Sequence, residues 1–150
     1  MIGVKKMIEQ DTIRLLRECD AGIKMGLSSI EDSIKHVTST ELKKVLDESL
    51  EKHRRIKEKM QSLLERYQDD GKEPAAMAKG MEWFKTNVTL AMEGSDTAVA
   101  DFITDGCNMG IKSLTKYLNQ YKAADESTKN ISKELIEEEE SLRVKVKDYL

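Results

Sequence analysis

The chain has 150 residues, enough for one domain that buries its own core without disulfide or metal staples. Charged residues make up 35% and apolar ones 39%, with 5% aromatics and a single proline, a composition that reads as almost wholly helical. The formal charge of −3 is spread over interspersed runs such as ELKKVLDESLEKHRRIKEKM at 41–60, which argues against nucleic acid, because neutralising phosphates needs a basic face.

The opening MIGVKKMIEQDTIRLL has no long apolar run or small-residue cleavage site, and no later stretch approaches a bilayer span. The expectation is a cytoplasmic protein without membrane contact. The first helix reads from Asp11 to Val37, with Leu15, Leu16, Cys19, Ile23, Gly26, Ile30, Ile34 and Val37 on one stripe. Thr38 as N-cap, with Glu41 three residues on, predicts a capping box and an abrupt reversal into the second helix. That helix carries Leu42, Leu46, Ser49, His53, Ile56, Met60, Leu64 and Tyr67 inward. Gly71 then suits a left-handed turn and Pro74 the first turn of the next helix.

Residues 75–93 read as a shorter crossover helix with Met77, Met81, Phe84 and Val88 on one face and Trp83 beside it. Gly94-Ser95-Asp96 ends it and caps a third long helix, over 97–122, with Ile103, Cys107, Ile111, Leu114, Leu118 and Tyr121 inward. After a break near 124–127, a last helix over 128–149 turns Ile131, Leu135, Leu142, Val146 and Tyr149 inward. The order is a hairpin (11–70), a crossover, and a second hairpin (97–149).

The stretch CDAGIK at 19–24 recurs as CNMGIK at 107–112, at the same stage of each hairpin. Nearly the same shift pairs Leu42 with Ile131, Leu46 with Leu135 and Arg54 with Arg143, so the halves read as a duplication. The two cysteines are small buried hydrophobes rather than a disulfide or a nucleophile. Glycine inside a helix costs about 1 kcal/mol against alanine, so Gly22, Gly26, Gly106 and Gly110 call for close helix approach or room for a large side chain.

On this helix order, on DGCNMGIKSLTKY and on AAMAKGMEW, the chain resembles small uncharacterised bacterial members of the ferritin-like superfamily. The resemblance implies an all-α four-helix bundle with an extra short helix in the long crossover. Its di-iron members place a Glu on each of two helices and a Glu-x-x-His on each of the others. This chain has no Glu-x-x-His, and Glu48, Glu51, Glu137 and Glu140 lie opposite the apolar faces, so those ligands do not carry over.

One polar constellation lies on the stripes: His53 on the second helix, and Glu138 and Glu139 straddling the stripe of the last. A buried carboxylate needs a partner, and an internal His–Glu pair supplies one. The same three residues are the candidate ligands if iron or another divalent metal is bound. His36 reads as a surface residue. No serine–histidine–acid set, phosphate loop or CxxC pair gives a reason to propose an enzyme. The expectation is a cofactor-free, non-catalytic bundle acting by self-association or partner binding. Its homodimer interface is expected on the crossover helix, at Met77, Met81, Trp83 and Phe84.

Overall fold

The computed structural model describes residues 2–74 and 95–150, and in them the apolar stripes become four helices. These are α1 (Ile2–Ile34), α2 (Thr40–Arg66), α3 (Asp96–Gln120) and α4 (Glu126–Val146), the last followed by a 3-10 turn at Lys147–Tyr149. The described residues contain no strand. Leu15, Leu16, Ile23 and Ile30 of α1 close one core with Leu42, Leu46, Met60 and Leu64 of α2, Ile103 and Leu114 of α3, and Leu135 and Leu142 of α4. Ile111, placed inward by the periodicity, is only half-buried, while Val99 and Ala100 are buried in its stead.

α1 and α4 each pack against both α2 and α3. Arg17 meets Asp69 while Gly26 lies beside His53, so α1 and α2 run in opposite senses. Lys59 meets Glu134 while Ser49 meets Glu138, which makes α2 and α4 antiparallel as well. Gly22 faces Leu114 and Thr38 binds Asp96, so α1 and α3 oppose each other too.

Several boundaries differ from the sequence reading. α1 starts at Ile2, not Asp11: Lys5, Lys6, Met7, Glu9 and Gln10 are good helix formers and carry the helix back past the turn that first meets the core. It stops at Ile34, short of Val37. The cap of α2 is Ser39, whose hydroxyl accepts the Leu42 amide at 3.2 Å, and not Thr38. Thr38 is drawn away: its amide and hydroxyl both donate to the Asp96 carboxylate at 2.8 Å, and the Ser39 amide adds a third bond at 3.0 Å. Ser95 caps α3 through the Ala98 amide, and Asp125 caps α4 through the Thr128 amide. α4 begins at 126 rather than 128, and its last turn tightens before Tyr149.

The exit from α2 is stitched to α1. Gln68 (φ 54°) and Gly71 (φ 82°) take left-handed conformations that reverse the chain. Arg17 grips Asp69 through two nitrogens, Lys72 Nζ reaches Glu18 at 2.6 Å, and Lys24 reaches Glu73 at 3.0 Å. Beneath them the fully buried Asp20 accepts the Lys72 amide at 2.9 Å and holds Lys24 Nζ at 2.7 Å. At the same end Tyr67 donates to Asp125 at 2.6 Å, and the Asp125 amide donates to Thr12. The expected crossover helix at 75–93 lies outside the described residues. No helix among the described residues is long and apolar enough to cross a membrane.

Candidate functional site

The constellation read from the sequence does assemble. Ser49 and His53 are one turn apart on α2, so both face inward. Glu138 and Glu139 are consecutive on α4, about 100° apart around the axis, so they diverge around its apolar stripe. Glu139 takes the central direction and stands with Oε1 2.6 Å from His53 Nε2. Glu138 takes the other and accepts the Ser49 hydroxyl at 2.9 Å, with Lys52 Nζ 3.7 Å from its second oxygen. His53 Nδ1 donates to the Ser49 carbonyl at 2.8 Å. His53 is fully buried and both carboxylates are nearly so.

The other two helices supply the space. A Cβ at Gly26 of α1 would sit 3.1 Å from two atoms of the His53 ring, and one at Gly110 of α3 would sit 3.6 Å from Glu139 Oε2. Gly26 thus makes room for the imidazole, whereas a side chain at Gly110 would meet the carboxylate only in ordinary contact. Gly106 is different: a Cβ there meets nothing within 4 Å. Alanine at Gly26 and at Gly106 should therefore have opposite effects on the urea unfolding midpoint. Gly106→Ala should stabilise by about 0.5–1 kcal/mol through helix propensity alone. Gly26→Ala should destabilise by about 1–3 kcal/mol, because the ring it meets is fixed at both nitrogens and cannot give way.

The electrostatics follow from the geometry. Burial by itself disfavours a charged His53, but the Glu139 hydrogen bond and charge, helped by the Ser49 carbonyl, outweigh it and hold its pKa above the ordinary histidine value. Both ring nitrogens face acceptors, so the pair keeps a proton between Nε2 and Oε1. Cys107 lies close to the same carboxylate; burial first and the Glu139 charge second push its thiol well up. Burial likewise raises Cys19 to about 12, despite the Ser132 hydroxyl 3.0 Å from its sulfur. Both cysteines are free and buried, and neither is a nucleophile in this setting.

A groove of about 470 Å³ between α2 and α4 reaches the cluster at Glu138 and is lined by Lys52, Arg55, Lys59, Glu134 and Glu138. Among the described residues no group of three or more His, Cys, Asp or Glu side chains is placed to hold a metal ion. His36 stands away from this cluster near the end of α1, partly exposed. Met77, Met81, Trp83 and Phe84, read as an interface, lie outside the described residues. What the sequence reading missed is Asp20, which sits off the apolar stripe; its one local signal is Lys24 four residues on. In comparisons with known proteins, no family model, no curated protein and no solved structure matched the chain.

Proposed function

We propose that the protein is a ferritin-like bundle of two hairpins that has no catalytic centre and works in the cytoplasm by binding another copy of itself or a protein partner. The observation that carries this reading is the state of the buried polar cluster around His53. His53 is sealed from solvent and gives both ring nitrogens to protein acceptors, so neither nitrogen is free to act as a base or a ligand. The arrangement of the helices supports the fold half of the proposal. Lys72 lies at the level of Asp20 and Asp96 at the level of Thr38, roughly 25 Å apart along α1 at 1.5 Å per residue. The chain therefore leaves α2 at one end of the bundle and enters α3 at the other. Two buried reduced thiols support the compartment.

A second reading, iron or another divalent metal held by His53, Glu138 and Glu139, has one point in its favour. A backbone carbonyl on Nδ1 is the partner that commonly orients a ligating histidine. The residues as placed do not fit an ion, however. Nε2 and Glu139 Oε1 are too close to admit one between them, and Glu138 turns away to Ser49 and Lys52.

Two measurements on the same preparation separate the readings. Light scattering should show a dimer that Trp83→Ala or Met81→Glu weakens while helicity stays intact, and elemental analysis of chelator-free protein should show no stoichiometric metal. Near-stoichiometric metal that disappears in His53→Ala would replace the proposal with the second reading.

A further inference from the structure

The sequence carries the dipeptide Asp-Gly twice, at 70–71 and at 105–106. Glycine puts no side chain between its amide nitrogen and the carboxyl of the aspartate before it, so this pairing is open to an attack of main chain on side chain. Asp70 and Asp105 are both exposed, and access to water does not tell them apart. The backbone does. Gly106 stands near the middle of α3, where its amide belongs to the helical ladder and cannot turn onto the Asp105 side chain unless the helix opens. Gly71 lies outside any helix, at the chain reversal, with φ 82°. Its N–H donates to Asp69 Oδ1 at 2.9 Å, in a carboxylate that the Arg17 hydrogen bonds hold below the usual carboxylate range and so keep ionised. Among the described residues no hydrogen bond or ion pair ties down the Asp70 carboxyl.

We propose that Asp70–Gly71 is a site of backbone isomerisation in the folded protein, whereas the identical dipeptide in α3 is not. The Gly71 nitrogen attacks Cγ of Asp70 in its protonated form and closes a succinimide ring. The carboxyl C–O bond breaks, and its hydroxyl leaves with the amide proton as water. A second water then opens the ring at the former main-chain carbonyl, breaking that carbon's bond to the Gly71 nitrogen. The chain now runs through the Asp70 side chain and carries a free α-carboxyl, with no net gain or loss of atoms. The product has a structural consequence. Its backbone is longer by a methylene just before Gly71, which packs so closely on the buried Asp20 carboxylate that a Cβ would collide. Lengthening the chain there draws the Lys72 amide off Asp20 and slackens the strap between α2 and α1. An exposed α-carboxyl at a chain reversal is also the chemistry that an isoaspartate-repairing methyltransferase accepts, so an enzyme of that class would act on the modified form.

Prolonged incubation of the full chain near neutral pH in heavy-oxygen water, followed by peptide mapping, is the test. Each ring opening writes a heavy oxygen into the peptide. The peptide containing Asp70 should gain label and isoaspartate at least about tenfold over the one containing Asp105. In denaturant, where neither backbone is held, the two should convert alike. Asp70→Glu, whose longer side chain does not readily close the ring, should abolish methyl transfer to the incubated protein while helicity stays intact. Equal labelling of the two peptides in the folded chain, or no labelling of either, overturns the proposal. A difference that persists in denaturant overturns its structural basis, because neighbouring sequence would then decide. Methyl transfer that survives in Asp70→Glu moves the site away from Asp70 and overturns the assignment.

Discussion

Replacing Glu139 with methionine should lower the unfolding free energy by about 3–5 kcal/mol near pH 6, and adding His53→Leu should recover most of that loss. The reason is that His53 is fully buried with Nε2 2.6 Å from Glu139. Removing the carboxylate leaves an imidazole that must either shed its proton or stay charged without a partner. Replacing both groups by apolar ones of similar volume removes the problem and the pair together. The pH dependence is a second check with a definite sign. The folded-state pKa of His53 is raised, so its contribution is complete below the unfolded value of about 6.5 and is lost as pH rises through the folded one. In Glu139→Met, burial, the largest single influence on the ring, is opposed only by the Ser49 carbonyl and the Glu138 charge. The balance shifts toward neutral His53, so that variant loses stability as pH falls through about 6.5. Chemical denaturation of the two proteins from about pH 5 to 9 should show the gap between them narrowing upward. A constant gap would mean that the pair carries no proton of its own.

Gly71→Ala should cost about 2–4 kcal/mol, more than any other glycine substitution in the described residues. Two effects add. The backbone at 71 has φ 82°, a conformation that penalises a side chain by about 1–2 kcal/mol. A Cβ there would also collide with the Asp20 carboxylate, which is buried and holds the Lys72 amide and Lys24. Pushing Asp20 aside breaks those bonds where water does not readily replace them. Hydrogen exchange distinguishes this from general loosening: the Lys72 amide should lose its protection while the α2 and α4 core amides keep theirs. An unchanged Lys72 amide would show that the exit strap does not depend on Asp20.

These residues also mark how far the sequence could be read. His53 and Glu139 were legible because helical spacing alone puts them on inward faces of α2 and α4, and a buried acid demands a partner. That Glu139 rather than Glu138 is the direct partner depends on the rotation of α4 against α2, which no local pattern encodes. Gly26 was legible as a space-maker but not as the space for a particular ring. Asp20 escaped because its main partner is a backbone amide at Lys72, far along the chain. The misplaced cap has the same origin: Thr38 has the right chemistry, but a carboxylate from α3 claims it, and Ser39 takes over. The start of α1 was missed because residues 3–10 are exposed, and a core stripe cannot register a helix that leaves the core.

The Asp96 bridge has a consequence for the axial field of the molecule. Since each helix opposes its neighbours, the four peptide macrodipoles largely cancel, leaving positive charge only locally at the helix starts. α2 and α3 both start at the pole where Thr38 and Ser39 meet Asp96, so two such positive ends converge there. One carboxylate answers both: Asp96 lies in the first turn of α3 and accepts the backbone amides that lead into α2. Chiefly the Thr38 amide, then its hydroxyl and the Ser39 amide, hold its pKa below the usual carboxylate range. Its contribution is present above about pH 3.9 and is lost as pH falls through that lowered value. Acid should therefore release the leading ends of two helices from opposite halves of the chain in a single protonation.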